Sequence, residues 1–216
     1  MCSHYESVKN LDTLKSHFKL NLVPDGGKFD LWPGYMGQFI RKHDQGANTD
    51  SRELLIGSFG LIPHWAPDTK IARNTFNARS ETVAEKPSYR DAWRAGRRCV
   101  IPADAIYEPD WRSGKAVPAK ISRADGKPMG IAGLWSVWKS PKGEEIHSYT
   151  MLTINADVHP LMNQFHKPTD EKRMVVILHD EQYSEWISIQ TKECGNFLKQ
   201  YPADLLIATS KQSTLI

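Results

Sequence analysis

The chain has 216 residues, a 40% apolar fraction, a formal charge of +3 and three cysteines. That length and composition suit a soluble globular protein with a core of its own, and we expect one domain over residues 1–216 rather than two small ones. Cys2, Cys99 and Cys194 are too few and too scattered for a disulfide framework or a zinc site, no apolar run approaches a membrane span, and MCSHYESVKN lacks the basic-then-apolar order of a signal peptide. The expectation is a cytoplasmic, monomeric protein without membrane contact. Its mild positive charge neither demands nor excludes nucleic acid.

Val8, Leu11, Leu14 and Phe18 fall at helical spacing with Ser7 placed as a cap, which predicts an amphipathic helix anchoring the N-terminus beside the core. Residues 22–35 are rich in turn formers and read as a loop with short extended pieces, and the polar residues 42–53 read as the most mobile loop. Residues 54–65 read as strand then turn. Residues 73–98 then gather Arg73, Arg79, Arg90, Arg94, Arg97 and Arg98 among aromatic residues, with Ser88 and Asp91 in a capping-box-like pattern and Gly96 near the helix end. Arginine beside aromatics suits a groove that tracks phosphates and stacks bases. Glu81, Glu85 and Asp91 share the window, so a solvated, salt-bridged helix face is the competing reading.

From Arg98 onward strand-like runs dominate: RCVIPADAIYEP, VPAKISR, GIAGLWSVW, HSYTMLTINAD, RMVVIL and LLIAT. Short helices are expected around residues 159–165, 180–187 and 191–200. Strands without regularly alternating long helices exclude a doubly wound sheet and predict an α+β protein, its mixed, mostly antiparallel sheets forming a barrel-like core with peripheral helices. Cys99 reads as a core thiol and Cys194 as a helix residue without chemistry.

Cys2 taken alone reads first as a small residue that happens to follow the start, but removal of Met1 would give it a thiol and an α-amine on one residue. Such a 1,2-aminothiol condenses with an aldehyde through nitrogen and closes a thiazolidine through sulfur, a route closed to an internal cysteine. An α-amine with a pKa of about 7.7 to 8.0 is roughly one-third neutral at pH 7.5, against roughly one lysine in a thousand. It is the better imine-forming nucleophile.

Several uncommon strings recur in order: MC at the start, IPHW ending at Trp65, FNARSET from Phe76, RCVIPADAIYE ending at Glu108, AGLW ending at Trp135, and LMNQFH before RMVVIL. Together they make nearly the whole chain resemble the SRAP family of abasic-site processing proteins. The resemblance implies binding to single-stranded DNA containing abasic sites and capture of their aldehyde as a thiazolidine crosslink, with no metal or organic cofactor and action at the nucleoid. It implies Cys2, Asn77, Glu108 and His166 as the catalytic set. Glu108 would open the closed sugar, Asn77 would donate to its oxygen, and His166 would move or stabilise the proton as the ring closes. His159 is the weaker alternative for that histidine. Arg79, Trp65, Arg173 and Trp111 are the implied DNA contacts. Lyase activity through the imine would accompany this chemistry; the alternatives are a thiol autopeptidase that removes its own Met1, and a non-catalytic single-stranded DNA binder.

The chain departs from the family pattern in three places. Ser3 and His4 stand where MCGR is usual, Pro109 separates Glu108 from the tryptophan that reaches Trp111, and residues are inserted between His166 and Arg173. These predict weaker or relocated DNA contact at position 4, an altered base-side stack, and displacement of either His166 or Arg173.

Overall fold

The computed structural model describes residues 2–43 and 52–210. In chain order its strands are β1 (His4–Glu6), β2 (Asp30–Leu31), β3 (Met36–Lys42), β4 (Arg52–Phe59), β5 (Asn77–Arg79), β6 (Arg98–Ala103), β7 (Ala105–Asp110), β8 (Val117–Arg123), β9 (Met129–Lys139), β10 (Glu145–Asn155), β11 (Arg173–Val175), β12 (Ile177–Leu178) and β13 (Leu206–Ser210). The helices are α1 (Leu11–Phe18), α2 (Arg90–Arg94) and α3 (Tyr183–Ser188). No helix among the described residues is long and apolar enough to cross a membrane.

Antiparallel pairing runs from β4 through β3, β6 and β9 to β10, and β10 closes the ring by pairing parallel with β4, Ser148 opposite Ser58 and Tyr149 opposite Phe59. β5 and β11 extend the sheet beside β10, and β12 beside β9. A second, antiparallel sheet has the order β13-β8-β7-β1-β2. The chain therefore has the expected α+β fold with a barrel-like core. Glycines let the barrel close: a Cβ on Gly133 of β9 would lie 2.5 Å from the Thr150 carbonyl oxygen of β10 and 2.8 Å from Ile101 Cδ1.

An aromatic cluster fastens β1 to this barrel. Tyr5 meets Phe59 edge-on at 5.1 Å between centroids, Phe59 stacks on Tyr149 at 5.7 Å, and Phe39 lies 5.5 Å from Tyr149. The Tyr5 and Tyr149 hydroxyls hydrogen-bond at 2.5 Å in the buried interior, which satisfies two polar groups that burial would otherwise penalise. Only Ser3 and His4 separate Tyr5 from Cys2, so fastening the tyrosine also restricts where Cys2 lies.

Several local expectations shift. The first helix begins at Leu11, capped by Asn10, whose side chain accepts from the Thr13 N–H at 2.9 Å. Ser7 is engaged elsewhere, because its hydroxyl donates to Gln38 Oε1 and its N–H bonds the Phe29 carbonyl. Ser88 does not cap α2 either. The Tyr89 and Arg90 N–H groups are already bonded to the Lys86 carbonyl, so the chain has turned before it. RCVIPADAIYEP forms two strands, breaking at Asp104, where the chain leaves the barrel for the second sheet. Of the three short helices expected towards the C-terminus, the second is found as a 3-10 turn at Asp180–Gln182 running into α3, and the first and third are 3-10 turns at Met162–Gln164 and Thr191–Asn196. Of the loop expected at 42–53, Lys42 ends β3 and Arg52 begins β4; residues 44–51 lie outside the described residues.

Arg173 locks β11 to its surroundings. The side chain is 2% exposed, and its guanidinium donates to both carboxyl oxygens of Glu81 at 2.9 Å, to Glu171 at 2.8 Å and to the Thr153 carbonyl of β10 at 2.8 Å. Burial pushes the Glu81 carboxyl up, but the Arg173 hydrogen bonds outweigh it and hold the group below its ordinary range; Glu171 is held down chiefly by its bond to Arg173. The unfolded chain therefore takes up these protons at higher pH than the folded one. The stabilisation is complete above the ordinary glutamate pKa of about 4.3 and is lost as the pH falls from there through the lowered folded-state values.

Two variants test this packing by chemical denaturation. Arg173→Leu should lose about 2 to 3 kcal/mol at pH 7 and less at pH 3.5; an equal loss at both pH values contradicts the assignment. Gly37→Ala would drive a Cβ into the Tyr149 hydroxyl and within 2.8 Å of Leu31 Cδ1. It should cost about 1 to 3 kcal/mol, and a neutral result would mean that the aromatic cluster is not tightly packed.

Candidate active site

β1 and β7 run antiparallel with His4 opposite Tyr107, so the residue before β1 lies next to the end of β7. Along β7 the buried positions include Ile106, Glu108 and Asp110 while Tyr107 and Pro109 are half-buried, the period-2 alternation of a strand with one face inward. Glu108 thus occupies a position where the pattern calls for an apolar residue, and it is 1% exposed. Its partner is His166, whose Nε2 lies 3.0 Å from Glu108 Oε2. Cys2, also 1% exposed, approaches from the N-terminal side, its thiol donating to the His4 carbonyl at 3.5 Å.

Asn77 enters from β5, where it is 8% exposed. Its Nδ2 donates to the Cys2 carbonyl at 2.7 Å, and its Oδ1 is buried without a hydrogen-bond partner among the described residues. The Tyr89 hydroxyl donates to the Asn77 carbonyl at 2.9 Å, tying the segment before α2 to the same strand. Burial pushes the Tyr89 phenol up to about 12, so it stays a donor at neutral pH. The structure therefore gathers Cys2, Asn77, Glu108 and His166 from four separate segments into one buried cluster.

The cluster is electrostatically uneven. Burial first, and the negative charge of Glu108 second, push the Cys2 thiol far above its ordinary pKa. The resting sulfur is a protonated thiol, and a nearby group must take its proton when it acts as a nucleophile. A carboxylate and an imidazole, placed in contact, are suited to move that proton. No group of His, Cys, Asp and Glu among the described residues has a metal-holding arrangement.

The changed residues near the site have identifiable places. Pro109 is accommodated because β1 pairs with β7 only as far as Tyr107, leaving its position beyond that ladder. Its carbonyl accepts the His166 N–H at 2.8 Å, and Asp110 forms an isolated bridge with Phe165. The insertion after His166 consequently leaves the histidine beside Glu108 and Arg173 in β11. His4 stacks between Trp32 and Tyr107, each ring pair 4.2 Å apart and 11° from parallel, with its Nε2 bonded to Asp30. His159 is elsewhere: its Nε2 bonds the Tyr201 carbonyl at 2.7 Å and its Nδ1 accepts the Leu161 and Met162 N–H groups, so both ring nitrogens hold local backbone.

Of the expected DNA contacts, Trp65 is 47% exposed on the turn after β4, and Trp111 is half-buried with the Lys167 ammonium 5.1 Å from its ring centroid. Arg79 is exposed and pairs with Glu171 at 2.7 Å. Arg173 is taken up inside the protein, because two carboxylates and a carbonyl surround its guanidinium. It grips the same Glu171 that Arg79 does. Neither Tyr89 nor Trp32 is singled out by the sequence patterns. Only Trp32 carried a local signal, a large aromatic residue before Pro33-Gly34 in a turn.

The family model described as SOS response associated peptidase (SRAP) matches residues 1–213. The abasic site processing protein YoqW of Bacillus subtilis is 30% identical over 213 residues, covering 94% of this chain and 89% of that protein. The abasic site processing protein HMCES of Xenopus tropicalis is 30% identical over 206 residues, covering 81% of this chain and 59% of its own. A crystal structure of a protein from Bordetella bronchiseptica superposes with a TM-score of 0.88 at 45% identity, over 98% of this chain and 100% of that one. The match to the family model over nearly the full length, and these relatives, show that the chain belongs to the SOS response associated peptidase (SRAP) family.

Proposed function

We propose that the chain processes abasic sites in single-stranded DNA by forming a thiazolidine crosslink through Cys2 once Met1 has been removed. The observation that carries this reading is the burial of Cys2 together with Asn77, Glu108 and His166, in a chain whose curated relatives are named abasic site processing proteins. The α-amine adds to the sugar aldehyde and, with loss of water, leaves an imine. Cys2 sulfur then adds to the imine carbon, and the thiol proton ends on the nitrogen, so that one water is the only molecule released.

Each neighbour has a task in that sequence. Glu108 and His166 exchange the proton that opens the hemiacetal and the one that leaves the thiol. Asn77 holds the Cys2 carbonyl through Nδ2 and presents Oδ1 to a donor on the bound sugar or the new amine. Arg79 can exchange its exposed Glu171 partner for a phosphate, while Trp65 and Trp111 stack on bases. The stacked His4 and Trp32 extend that surface at the position where the family pattern has an arginine. In this scheme a lyase step competes with ring closure: the imine loses a C2′ proton and the C3′–O bond breaks, the 3′ phosphate leaving with its electron pair and the conjugated imine later being hydrolysed.

A second reading is supported by the family description, which names a peptidase. The same thiol, carboxylate and imidazole would then cleave the Met1–Cys2 bond, supplying the free amine that crosslinking needs.

The crosslink is tested by incubating Met1-free protein with a single-stranded abasic oligonucleotide and running a denaturing gel. Wild type should give a retarded adduct, Cys2→Ala none, and Glu108→Gln an adduct formed about 100-fold more slowly. An adduct that persists in Cys2→Ala, or no adduct with wild type, contradicts the proposal. The peptidase reading is tested by intact mass after expression with methionine aminopeptidase inhibited. Wild type should lack Met1 and Glu108→Ala should retain it; equal processing of both rejects Glu108 as a participant.

A further inference from the structure

His166 has a backbone φ of +64°, in the left-handed region that a residue with a Cβ seldom adopts. Such a conformation persists only where its surroundings impose it. On one side the His166 N–H is bonded to Pro109. On the other, the carbonyls of Phe165, His166 and Lys167 converge on a single ammonium, Lys172 Nζ, at 2.9, 3.3 and 2.6 Å.

An ammonium has three hydrogens, and here three consecutive carbonyls take them. The base of Lys172 is itself fixed. Its N–H donates to Asp157 Oδ1 at 2.8 Å and its carbonyl accepts the Ala156 N–H at 2.8 Å, so the side chain projects from the margin of the β10–β11 pair. The inserted residues that separate His166 from Arg173 thus bring in a cation that gathers the turn around the histidine.

We infer that Lys172 is a positioning residue, which holds the turn at His166 so that the imidazole meets Glu108, and which acts on the reaction only through His166. This rests on the proposed role of His166 in crosslinking. It also assigns the half-buried Lys172 ammonium to these three carbonyls rather than to DNA phosphate, since its donors are already engaged.

The test is a double-mutant cycle on crosslinking rate, with Met1-free protein and a single-stranded abasic oligonucleotide. Lys172→Gln should slow adduct formation about 10- to 100-fold, the scale of a misplaced catalytic group, and Lys172→Arg should recover part of that loss. In a His166→Ala background the same substitution should change the rate less than about twofold, because the partner it serves is gone. Affinity for intact single-stranded DNA and its salt dependence should match wild type. An unchanged rate in Lys172→Gln, equal slowing in both backgrounds, or a weakened salt dependence marking a lost phosphate contact would each overturn the inference.

A second measurement does not depend on crosslinking. The His166 Hε1 proton resonance, assigned by its absence from His166→Ala, should shift in Lys172→Gln and move back towards wild type in Lys172→Arg. If wild type forms no adduct but this shift is seen, the crosslinking reading fails and the positioning inference stands. If the resonance does not move, the inference fails whatever the chemistry of the site.

Discussion

Burying Glu108 on the inward face of β7 is the constraint on which the rest of the site depends. A carboxylate taken out of water costs several kcal/mol unless it is partnered, and an apolar residue would satisfy the strand pattern without that cost. The contact with His166 meets part of the demand. Burial is the main reason the Cys2 thiol stays protonated, and the charge of Glu108 adds to it. Stability is given up at this one position, and the aromatic packing under Tyr5 and the Arg173 network around β11 hold the surrounding segments in place.

The two sheets divide the work. The barrel supplies a rigid wall through β5 and β10, which brings Asn77 in, while the antiparallel second sheet carries Glu108 on β7 and sets β1 beside it. Cys2 lies where the two meet. The histidine comes from neither sheet but from a turn, and it is the member whose backbone must be forced into shape.

Much of the fold was legible from strand patterning, because the runs from Arg98 onward alternate or are continuously apolar over strand lengths. VPAKISR corresponds to β8 residue for residue. What escaped was set by tertiary partners. Ser7 had the right chemistry for a cap but is bonded to Gln38, so Asn10 caps the helix instead. The break at Asp104 follows from a change of sheet that no local pattern announces. At the site, the candidate residues were read from recognised strings, since nothing in the spacing of Cys2, Asn77, Glu108 and His166 requires them to meet. Pro109 and the insertion before Arg173 looked disruptive in the sequence because their compensations, a carbonyl for the His166 N–H and an ammonium for three carbonyls, are visible only in three dimensions.

The central claim is that Cys2 uses both of its nucleophiles on one aldehyde carbon. The most direct measurement is the mass of the N-terminal peptide after crosslinking to an abasic strand, nuclease digestion and proteolysis, with fragmentation to locate the adduct. The account predicts a peptide that begins at Cys2 and carries the sugar remnant on that residue, minus one water, with no free thiol to alkylate. A remnant on a lysine, a peptide that keeps Met1 while bearing the adduct, or an adduct whose Cys2 thiol still alkylates would contradict it.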